Sequence, residues 1–228
     1  MISIDEDIER CINSLGEKFL KWPYNFFTES DAHSFIYYYI FRSRYKPLKQ
    51  LYPTKDGNDK TVLLHREYPT SFRFRKDSMQ LDDTGGRGHY DLAILNPDFI
   101  AKHSIDEVIA KDFKKCAVEE KNHLLAAIEF KLIVNPLSKG MRSEIEKDFC
   151  KLSFAKNLNQ AMTTYMVIFN RCREEKAYIS ELTRMAAKNP YVKGIYIESV
   201  KSKPRHYKIQ YLNQWVHKLR FGSGDNIV

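Results

Sequence analysis

The chain has 228 residues, which suits one sizeable domain, and its 43% hydrophobic and 29% charged residues are typical of a globular protein. No segment approaches the ~18 consecutive apolar residues of a membrane-spanning helix. The acidic N-terminus MISIDEDIER lacks the pattern of a signal peptide, so we expect a cytoplasmic protein without membrane association. The net charge of +8 favours a polyanionic partner, of which nucleic acid is the commonest.

The cysteines and aromatic residues are predicted to be structural. Cys11, Cys116, Cys150 and Cys172 are far apart and form no CxxC pair, so we interpret them as reduced thiols that mostly fill the core. Most of the 14 tyrosines and 14 phenylalanines lie in apolar-periodic segments. They are therefore expected in the core rather than on a surface that stacks bases.

Two helices are predicted at the N-terminus. Residues 4–21 place apolar side chains at helical spacing with charges between them. Thr28 and Asp31 form a variant of the capping box, which predicts that a second helix starts there and ends before Pro47. Glu29 would then lie in the first turn of this second helix.

The apolar period changes to two from Thr61 onward. TVLLHREYP and SFRFRK predict neighbouring strands with a turn near Pro69. DDTGGRG predicts a glycine-rich loop, and HYDLAIL predicts a short strand that opens near Asp91. Residues 98–123 are polar and partly helical, which indicates a surface insertion, and LLAAIEFKLIV is the next strand.

The second half of the chain alternates helices and strands. Ser143 and Glu146 match a capping box and predict the start of a helix, and TYMVIFN is typical of a strand covered on both faces. A helix over residues 174–188, the strand VKGIYIESV and an edge strand at YKIQYL follow. The order predicts a single α/β domain over residues 1–228, with a mixed central β-sheet flanked by helices.

The stretch AAIEFKL places two charges in an apolar strand. Residues i and i+2 of a strand point to the same face, so Glu129 and Lys131 are expected side by side. If this strand pairs antiparallel with HYDLAIL, the start of one lies beside the end of the other, which brings Asp91 to the same end. Two carboxylates and one lysine would then converge.

Such a group suits a hard divalent cation. Mg²⁺ prefers oxygen ligands and is typically held by one or two carboxylates together with water and substrate phosphate. A nearby lysine can orient an attacking water or stabilise the negative charge that develops on a phosphate. Hydrolysis of a phosphodiester would use every member of the group.

The pattern Asp91…Glu129-Phe130-Lys131 resembles the PD-(D/E)xK nuclease superfamily. The order of elements over about residues 29–200 resembles its restriction-endonuclease-like αβββαβ core, here with an extra N-terminal helix and C-terminal strand. The resemblance implies that Asp91, Glu129 and the Phe130 carbonyl hold Mg²⁺, for which Mn²⁺ could substitute. It also implies that Lys131 serves the attacking water and that Glu29 adds a carboxylate.

Two features depart from the simplest form of this pattern. Tyr90, not proline, precedes Asp91, and a literal Pro-Asp occurs at residues 97–98. We reject the literal pair because Asp98 follows its strand and would lie far from Glu129. Further ExK patterns, at residues 119–121 and 174–176, lie in polar or helical stretches where residues two apart do not share a face.

Structural interpretations of the same residues remain open. Glu129 and Lys131 could form a surface ion pair worth ~0–1 kcal/mol, and Asp91 could be a turn residue. Acidic residues favour the first turn of a helix through its dipole, which alone would account for Glu29. Glu67 is a rival for the additional carboxylate.

Neighbouring polar residues also have structural interpretations that require no function. His65 and His89 flank the acidic residues, and a lone histidine is more often structural than catalytic. Lys147 and Lys151, beside Asp148, are expected to form charge pairs on a helix surface, with substrate contact as the alternative. Arg87 and the FRFRK segment are expected on a solvated face, with phosphate contact as the alternative.

The sequence therefore predicts a metal-dependent nuclease, with DNA as the expected substrate. The alternatives are a catalytically silent nucleic-acid-binding or assembly module on the same fold, and an unrelated structural protein. Dimerisation would suit cleavage of both strands of a duplex. The choice between DNA and RNA, between endo- and exonucleolytic cleavage, and of the pathway is left open, since function does not follow from fold.

Overall fold

The structure is a computed structural model that describes residues 3–75, 80–82, 84–109, 121–172, 176–199 and 207–213. The helices are α1 (Ile4–Lys21), α2 (Glu29–Phe41), α3 (Pro97–Lys102), α4 (Ile105–Val108), α5 (Lys139–Asn157) and α6 (Lys176–Lys188). The strands are β1 (Tyr52–Pro53), β2 (Lys60–Thr61), β3 (Leu64–Phe74), β4 (Gly86–Leu95), β5 (Leu124–Ile133), β6 (Ala161–Asn170), β7 (Lys193–Ser199) and β8 (Tyr207–Tyr211). No helix among these residues has both the length and the apolarity to cross a membrane.

The six long strands form one mixed sheet in the order β3-β4-β5-β6-β7-β8. β3, β4 and β5 form an antiparallel meander, β5, β6 and β7 are parallel, and β8 returns antiparallel along the far edge. Parallel strands need a crossover connection, and α5 and α6 provide the two connections. This architecture confirms the predicted α/β class with a mixed sheet flanked by helices.

Helices cover both faces of the central strand β5. Phe130 is fully buried and its ring lies 5.4 Å from the ring of His33 on α2, whereas Glu129 contacts Lys151 on α5. Successive side chains of a strand point to opposite faces, so α2 and α5 lie on opposite sides of the sheet. The functional groups on β5 can therefore meet partners from two helices.

The structure confirms the starts of the two N-terminal helices and the character of two predicted strands. Ser3 caps α1, and the Thr28–Asp31 capping box opens α2 with Glu29 as its first residue. The apolar strand β6 is buried along most of its length, and β8 is the predicted edge strand. Of the cysteines, Cys11 and Cys172 are buried and Cys150 is half-buried, whereas Cys116 lies outside the described residues.

The predicted turn near Pro69 is wrong. TVLLHREYP and SFRFRK contribute to one strand, β3, which pairs with β4 on both sides of a register shift between Pro69 and Arg73. Proline cannot donate a ladder hydrogen bond, but β3 is an edge strand, and no strand of the described residues pairs along its outer side. The edge position lets the strand continue through Pro69.

Two predicted element starts are also wrong. α5 begins at Lys139, because Ser138 accepts a hydrogen bond from the Met141 N–H and caps the helix one turn before Ser143. β4 begins at Gly86, so part of the glycine-rich segment is strand and Asp91 lies in its middle.

The predicted surface insertion at residues 98–123 is partly core. Phe99, Ile100 and Val108 on α3 and α4 are buried in the main hydrophobic cluster. Residues 110–120 lie outside the described residues. The preceding Leu95 pairs with Leu124, so the literal Pro-Asp pair lies at the opposite end of β5 from Glu129, as expected.

Candidate active site

β4 and β5 separate at the point where the acidic residues lie. Their pairing runs from Leu95 to Leu92, which lies opposite Ile128, and no pairing is formed beyond it although both strands continue. The next position along this register would place Asp91 opposite Glu129. Instead of a strand-to-strand hydrogen bond, the Phe130 N–H donates to Asp91 Oδ2 at 2.7 Å. A carboxylate thus occupies the opening between the strands.

α2 brings two further donor groups to this opening. Glu29 and His33 are one turn apart on the helix, and one donor atom each of Glu29, His33 and Asp91 lies within 4.8 Å of the other two. His33 Nε2 is 3.4 Å from Asp91 Oδ2, and the imidazole is buried. This nitrogen makes no well-aligned hydrogen bond within the described structure. Carboxylate oxygens and a histidine nitrogen are ordinary metal ligands.

α5 supplies a second set of charges. Lys131 Nζ lies 3.1 Å from Glu29 Oε1 and 3.2 Å from Asp148 Oδ2, so one ammonium bridges α2 and α5. Lys151 Nζ lies 2.8 Å from Glu129 Oε1 and 3.1 Å from Asp148 Oδ1. The two lysines share Asp148, which links all these groups into one ionic network.

The pKa values of the two central carboxylates are shifted in opposite directions. Burial by itself would raise the pKa of Asp91, but the nearness of His33, the Phe130 N–H and the charge of Lys131 hold it below its usual value. Glu129 is only 2% exposed, and burial raises its pKa well above the usual value. Lys151 opposes that rise, whereas the neighbouring carboxylates add to it. Asp91 is therefore ionised, while ionisation of Glu129 is unfavourable without further positive charge.

Both lysines are held in the charged form. Burial would lower the pKa of Lys131, but the negative charges of Asp148 and Glu29 raise it above its usual value. Glu129 and Asp148 likewise raise the pKa of Lys151 against the effect of burial. An ammonium with a raised pKa cannot accept a proton from water, so Lys131 can act as a hydrogen-bond donor and a positive charge but not as a base.

The donor set fits a divalent cation. The network of Glu29, Asp91, Glu129 and Asp148 with Lys131 and Lys151 carries four carboxylates against two ammonium groups. The acidic side chains outnumber the ammonium groups, and a partly buried surplus of negative charge is unfavourable. A bound cation would offset this surplus, and the His33 nitrogen and the carboxylates of Glu29 and Asp91 could hold it.

The sequence-predicted residues meet in part. Asp91, Glu29 and Lys131 come together at the opening, and Phe130 contributes its backbone N–H. Glu129 adjoins them on the α5 side, where its carboxylate faces Lys151. Glu29, which was expected only as an additional carboxylate, belongs to the described group that could hold a metal. Glu129, which was expected as a principal metal ligand, does not belong to it.

Three other polar candidates make their described contacts elsewhere or are exposed. Glu67 is exposed on β3, in a left-handed backbone conformation with φ 50°. His65 Nε2 lies 2.8 Å from the Val62 carbonyl, which fits its structural interpretation. Arg87 Nε donates to the Thr70 carbonyl at 2.8 Å and is partly buried, contrary to the expected solvated face.

Sequence reasoning missed His33 and misread two residues on α5. Lys151 and Asp148 were expected to form surface charge pairs, but Lys151 is buried and both belong to the ionic network. The available signal was helical spacing: His33 follows Glu29 by four residues, and Lys151 follows Asp148 by three. Each spacing places both side chains on one helix face.

Comparison with protein-family models, with curated proteins and with solved structures gives no match. A functional interpretation of this chain therefore depends on the geometry and chemistry of its own residues.

Proposed function

We propose that the opening between β4 and β5 is the active site of a metal-dependent nuclease that hydrolyses phosphodiester bonds of nucleic acid, with DNA as the expected substrate. The observation that carries this proposal is the convergence of Glu29, His33 and Asp91 within 4.8 Å, beside the charged Lys131. The resemblance of Asp91…Glu129-Phe130-Lys131 to the PD-(D/E)xK pattern, and to a restriction-endonuclease-like core, supports the same conclusion.

Each residue has a definite role in this reaction. Asp91 and Glu29 would hold the cation, His33 would add a nitrogen ligand, and Glu129 would complete the negative surroundings. A bound Mg²⁺ or Mn²⁺ supplies charge neutralisation at the phosphate and lowers the pKa of a water molecule. Lys131, as a permanent donor, orients the attacking water and stabilises the charge that builds up on the phosphate oxygens.

The opening in the sheet also positions the reaction. Asp91 is fixed by the Phe130 N–H, and Lys131 is fixed between α2 and α5, so both groups are held before substrate binds. Preorganised charge of this kind is worth more than charge that must reorient during the reaction. The ionic network on α5 keeps the Lys131 ammonium aimed at the opening.

A silent binding module is the second candidate, and one observation favours it. Glu129, which the resemblance assigns to the metal, faces the Lys151 ammonium at 2.8 Å instead of joining the Glu29–His33–Asp91 group. A lysine in that place could substitute for a cation. Such a protein would bind nucleic acid and would not cut it.

A cleavage assay separates these candidates. Plasmid, linear duplex, branched and single-stranded substrates would be incubated with Mg²⁺ or Mn²⁺ and wild type, Lys131→Ala or Lys188→Ala. Lys188 forms an exposed pair with Glu146 at 3.2 Å and is the matched control. We expect Lys131→Ala to lower the rate by about a hundredfold or more, because it removes a preorganised donor, and Lys188→Ala to cut like wild type.

The outcomes of this assay are distinct. Cutting that requires metal and Lys131 supports the nuclease. Binding without cutting by every variant supports the silent module. Cutting that survives Lys131→Ala unchanged would place the chemistry elsewhere.

A further inference from the structure

Exposed aromatic side chains lie on the loop that leads into α2. This aromatic loop comprises residues 22–27, WPYNFF, in which the residues Trp22, Tyr24 and Phe27 are 49%, 48% and 71% exposed. Many of the other aromatic residues fill the core as predicted, and a few, such as Tyr191, are exposed elsewhere on the chain. The aromatic loop differs because it carries three exposed aromatic residues within six positions, and clustered exposed apolar groups mark binding sites.

The aromatic loop is anchored to the hydrophobic core. Phe26 is fully buried, with its ring 5.2 Å from Phe19, 5.0 Å from Phe35 and stacked 6.0 Å from Phe169. A 3₁₀ turn at Pro23–Asn25 shapes the backbone before it. Because Phe26 ties the loop to the core, the neighbouring rings are presented on a fixed base.

Cations accompany the exposed rings. Lys21 Nζ lies 4.4 Å from the centre of the Trp22 ring, and the Arg171 guanidinium lies 5.6 Å from that of Tyr24. Arg171 Nη2 also donates to the Phe27 carbonyl at 3.5 Å. Aromatic rings with lysine and arginine beside them match an anionic partner that has flat apolar groups.

The aromatic loop borders the candidate active site on two sides. Phe27 precedes Glu29 by two residues, which is at most about 7 Å of extended chain. The Arg171 N–H donates to the Ile133 carbonyl at 2.9 Å, at the end of β5 just beyond Lys131. A nucleic acid whose phosphate lies at Lys131 would therefore pass this loop within a few nucleotides.

We propose that the aromatic loop stacks unpaired bases of a single-stranded segment next to the reacting phosphate. The inference rests on the proposed function and names its substrate class: single strands, or the unpaired ends and flaps of duplexes. Proteins that bind single strands combine a cationic path for the backbone with aromatic rings on which bases stack. The bases of an intact duplex are stacked on each other and cannot reach such rings.

Binding measured without metal tests this inference separately from cleavage. The full chain in EDTA would be titrated against a fluorescent oligothymidine and against a hairpin duplex of equal length. Phe27→Ala is the test variant, and Tyr191→Ala is the control. Tyr191 is also exposed, at 61%, but its carbonyl accepts from Thr164 near the start of β6, away from the site.

We expect wild type to bind the single strand more tightly than the hairpin. Phe27→Ala should weaken single-strand binding by roughly tenfold, within the range for one lost stacking contact, and Tyr191→Ala should not. Phe27→Tyr should keep the affinity, whereas Phe27→Leu, which is apolar without a π face, should not. Circular dichroism would show that the variants are folded.

Three results would overturn the inference. Equal affinity of wild type and Phe27→Ala for the single strand would show that the aromatic loop does not stack bases and would favour a protein partner for it. Metal-dependent cutting by the same preparation would still support the nuclease proposal. Full affinity in Phe27→Leu would show apolar contact without stacking. Absence of single-strand binding by wild type in EDTA would remove the inference, and the cleavage assay with Mg²⁺ or Mn²⁺ would still decide the nuclease proposal.

Discussion

Two strand lysines of this protein lie in similar ionic surroundings and are expected to do different work. Lys131 on β5 and Lys193 on β7 each bridge two carboxylates at about 3 Å. A charged residue in an apolar strand is therefore no sign of function by itself. The difference between the two regions lies in what surrounds each lysine.

The Lys193 region consists of ionic and hydrogen-bond contacts between α1 and two strands. Its carboxylates, Asp5 and Glu9, lie one turn apart on α1, and the Tyr165 hydroxyl donates to Asp5 at 3.1 Å. These contacts join the first helix to β6 and β7. The groups of described residues that could hold a metal do not include this one, and its contacts hold α1 on the sheet.

The Lys131 region remains open and carries surplus negative charge. Its carboxylates come from two helices on opposite sides of the sheet, and Asp91 and Glu129 add further negative charge where β4 and β5 separate. The backbone opening gives access, and the surplus charge gives affinity for a cation. Carboxylates outnumber lysines in both regions, so the comparison teaches that the strand opening and the Glu29–His33–Asp91 group, and not the lysine, identify the candidate site.

The largest expected contrast is in catalysis. Asp91→Asn removes a charge from the opening and Asp5→Asn removes one from the Lys193 region. We expect Asp91→Asn to lower the cleavage rate at least about a hundredfold, because it weakens cation binding, and Asp5→Asn to change it less than about twofold. Initial rates at a fixed Mg²⁺ concentration that does not saturate wild type provide the measurement. Similar losses in both variants would erase the distinction between the regions.

A smaller contrast is expected in stability, where one substitution in each region should change the free energy of unfolding in opposite directions. Glu129→Gln relieves surplus charge in the metal-free protein, while Lys151 keeps Asp148 at 3.1 Å, so the free energy of unfolding should rise by about 1 kcal/mol. Glu9→Gln weakens the 2.8 Å contact with Lys193 and should lower it by about 1 kcal/mol. Urea denaturation in EDTA would measure both. A fall in both variants would mean that Glu129 is only a structural partner of Lys151.

The smallest contrast is in the pH dependence of stability. Burial raises the folded-state pKa of Glu129, so above the ordinary carboxylate value of 4.5 the unfolded chain loses its proton first. This group's contribution is therefore present in full at lower pH and is lost as the pH rises toward the folded-state pKa. One proton can contribute at most ~1.4 kcal/mol per pH unit, and Lys151 keeps the effect well below that limit.

Glu129→Gln is the matched comparison for this pH effect. Denaturation curves collected in EDTA from pH 5 upward should show the stability of wild type falling relative to that of Glu129→Gln. Glu9→Gln should run parallel to wild type. Parallel curves for all three proteins would show that Glu129 is ionised at ordinary carboxylate pH.

Much of the fold was accessible from the sequence because local chemistry agreed with tertiary packing. The capping box at Thr28 and Asp31 and the continuous apolar run of β6 each dictate one local structure. The misread points needed tertiary information. Pro69 is tolerated only because β3 is an edge strand, and the start of α5 depended on whether Ser138 or Ser143 provides the cap.

The candidate site was accessible to the extent that it lies on strands. Asp91, Glu129 and Lys131 followed from an antiparallel pair of strands and a period of two. His33 was missed although its spacing of four residues from Glu29 places both side chains on one face of α2, because the sequence alone does not show that this face meets the opening. The contact between Asp91 and the Phe130 N–H depends on the separation of two strands, and no residue pattern marks that separation.

The most direct test of the account is to count bound Mn²⁺ by electron paramagnetic resonance in wild type, Asp91→Asn and Asp5→Asn. The account predicts saturable binding by wild type, loss of that binding in Asp91→Asn and retention of it in Asp5→Asn. No saturable binding by wild type, or equal binding by wild type and Asp91→Asn, would contradict a metal site between β4 and β5.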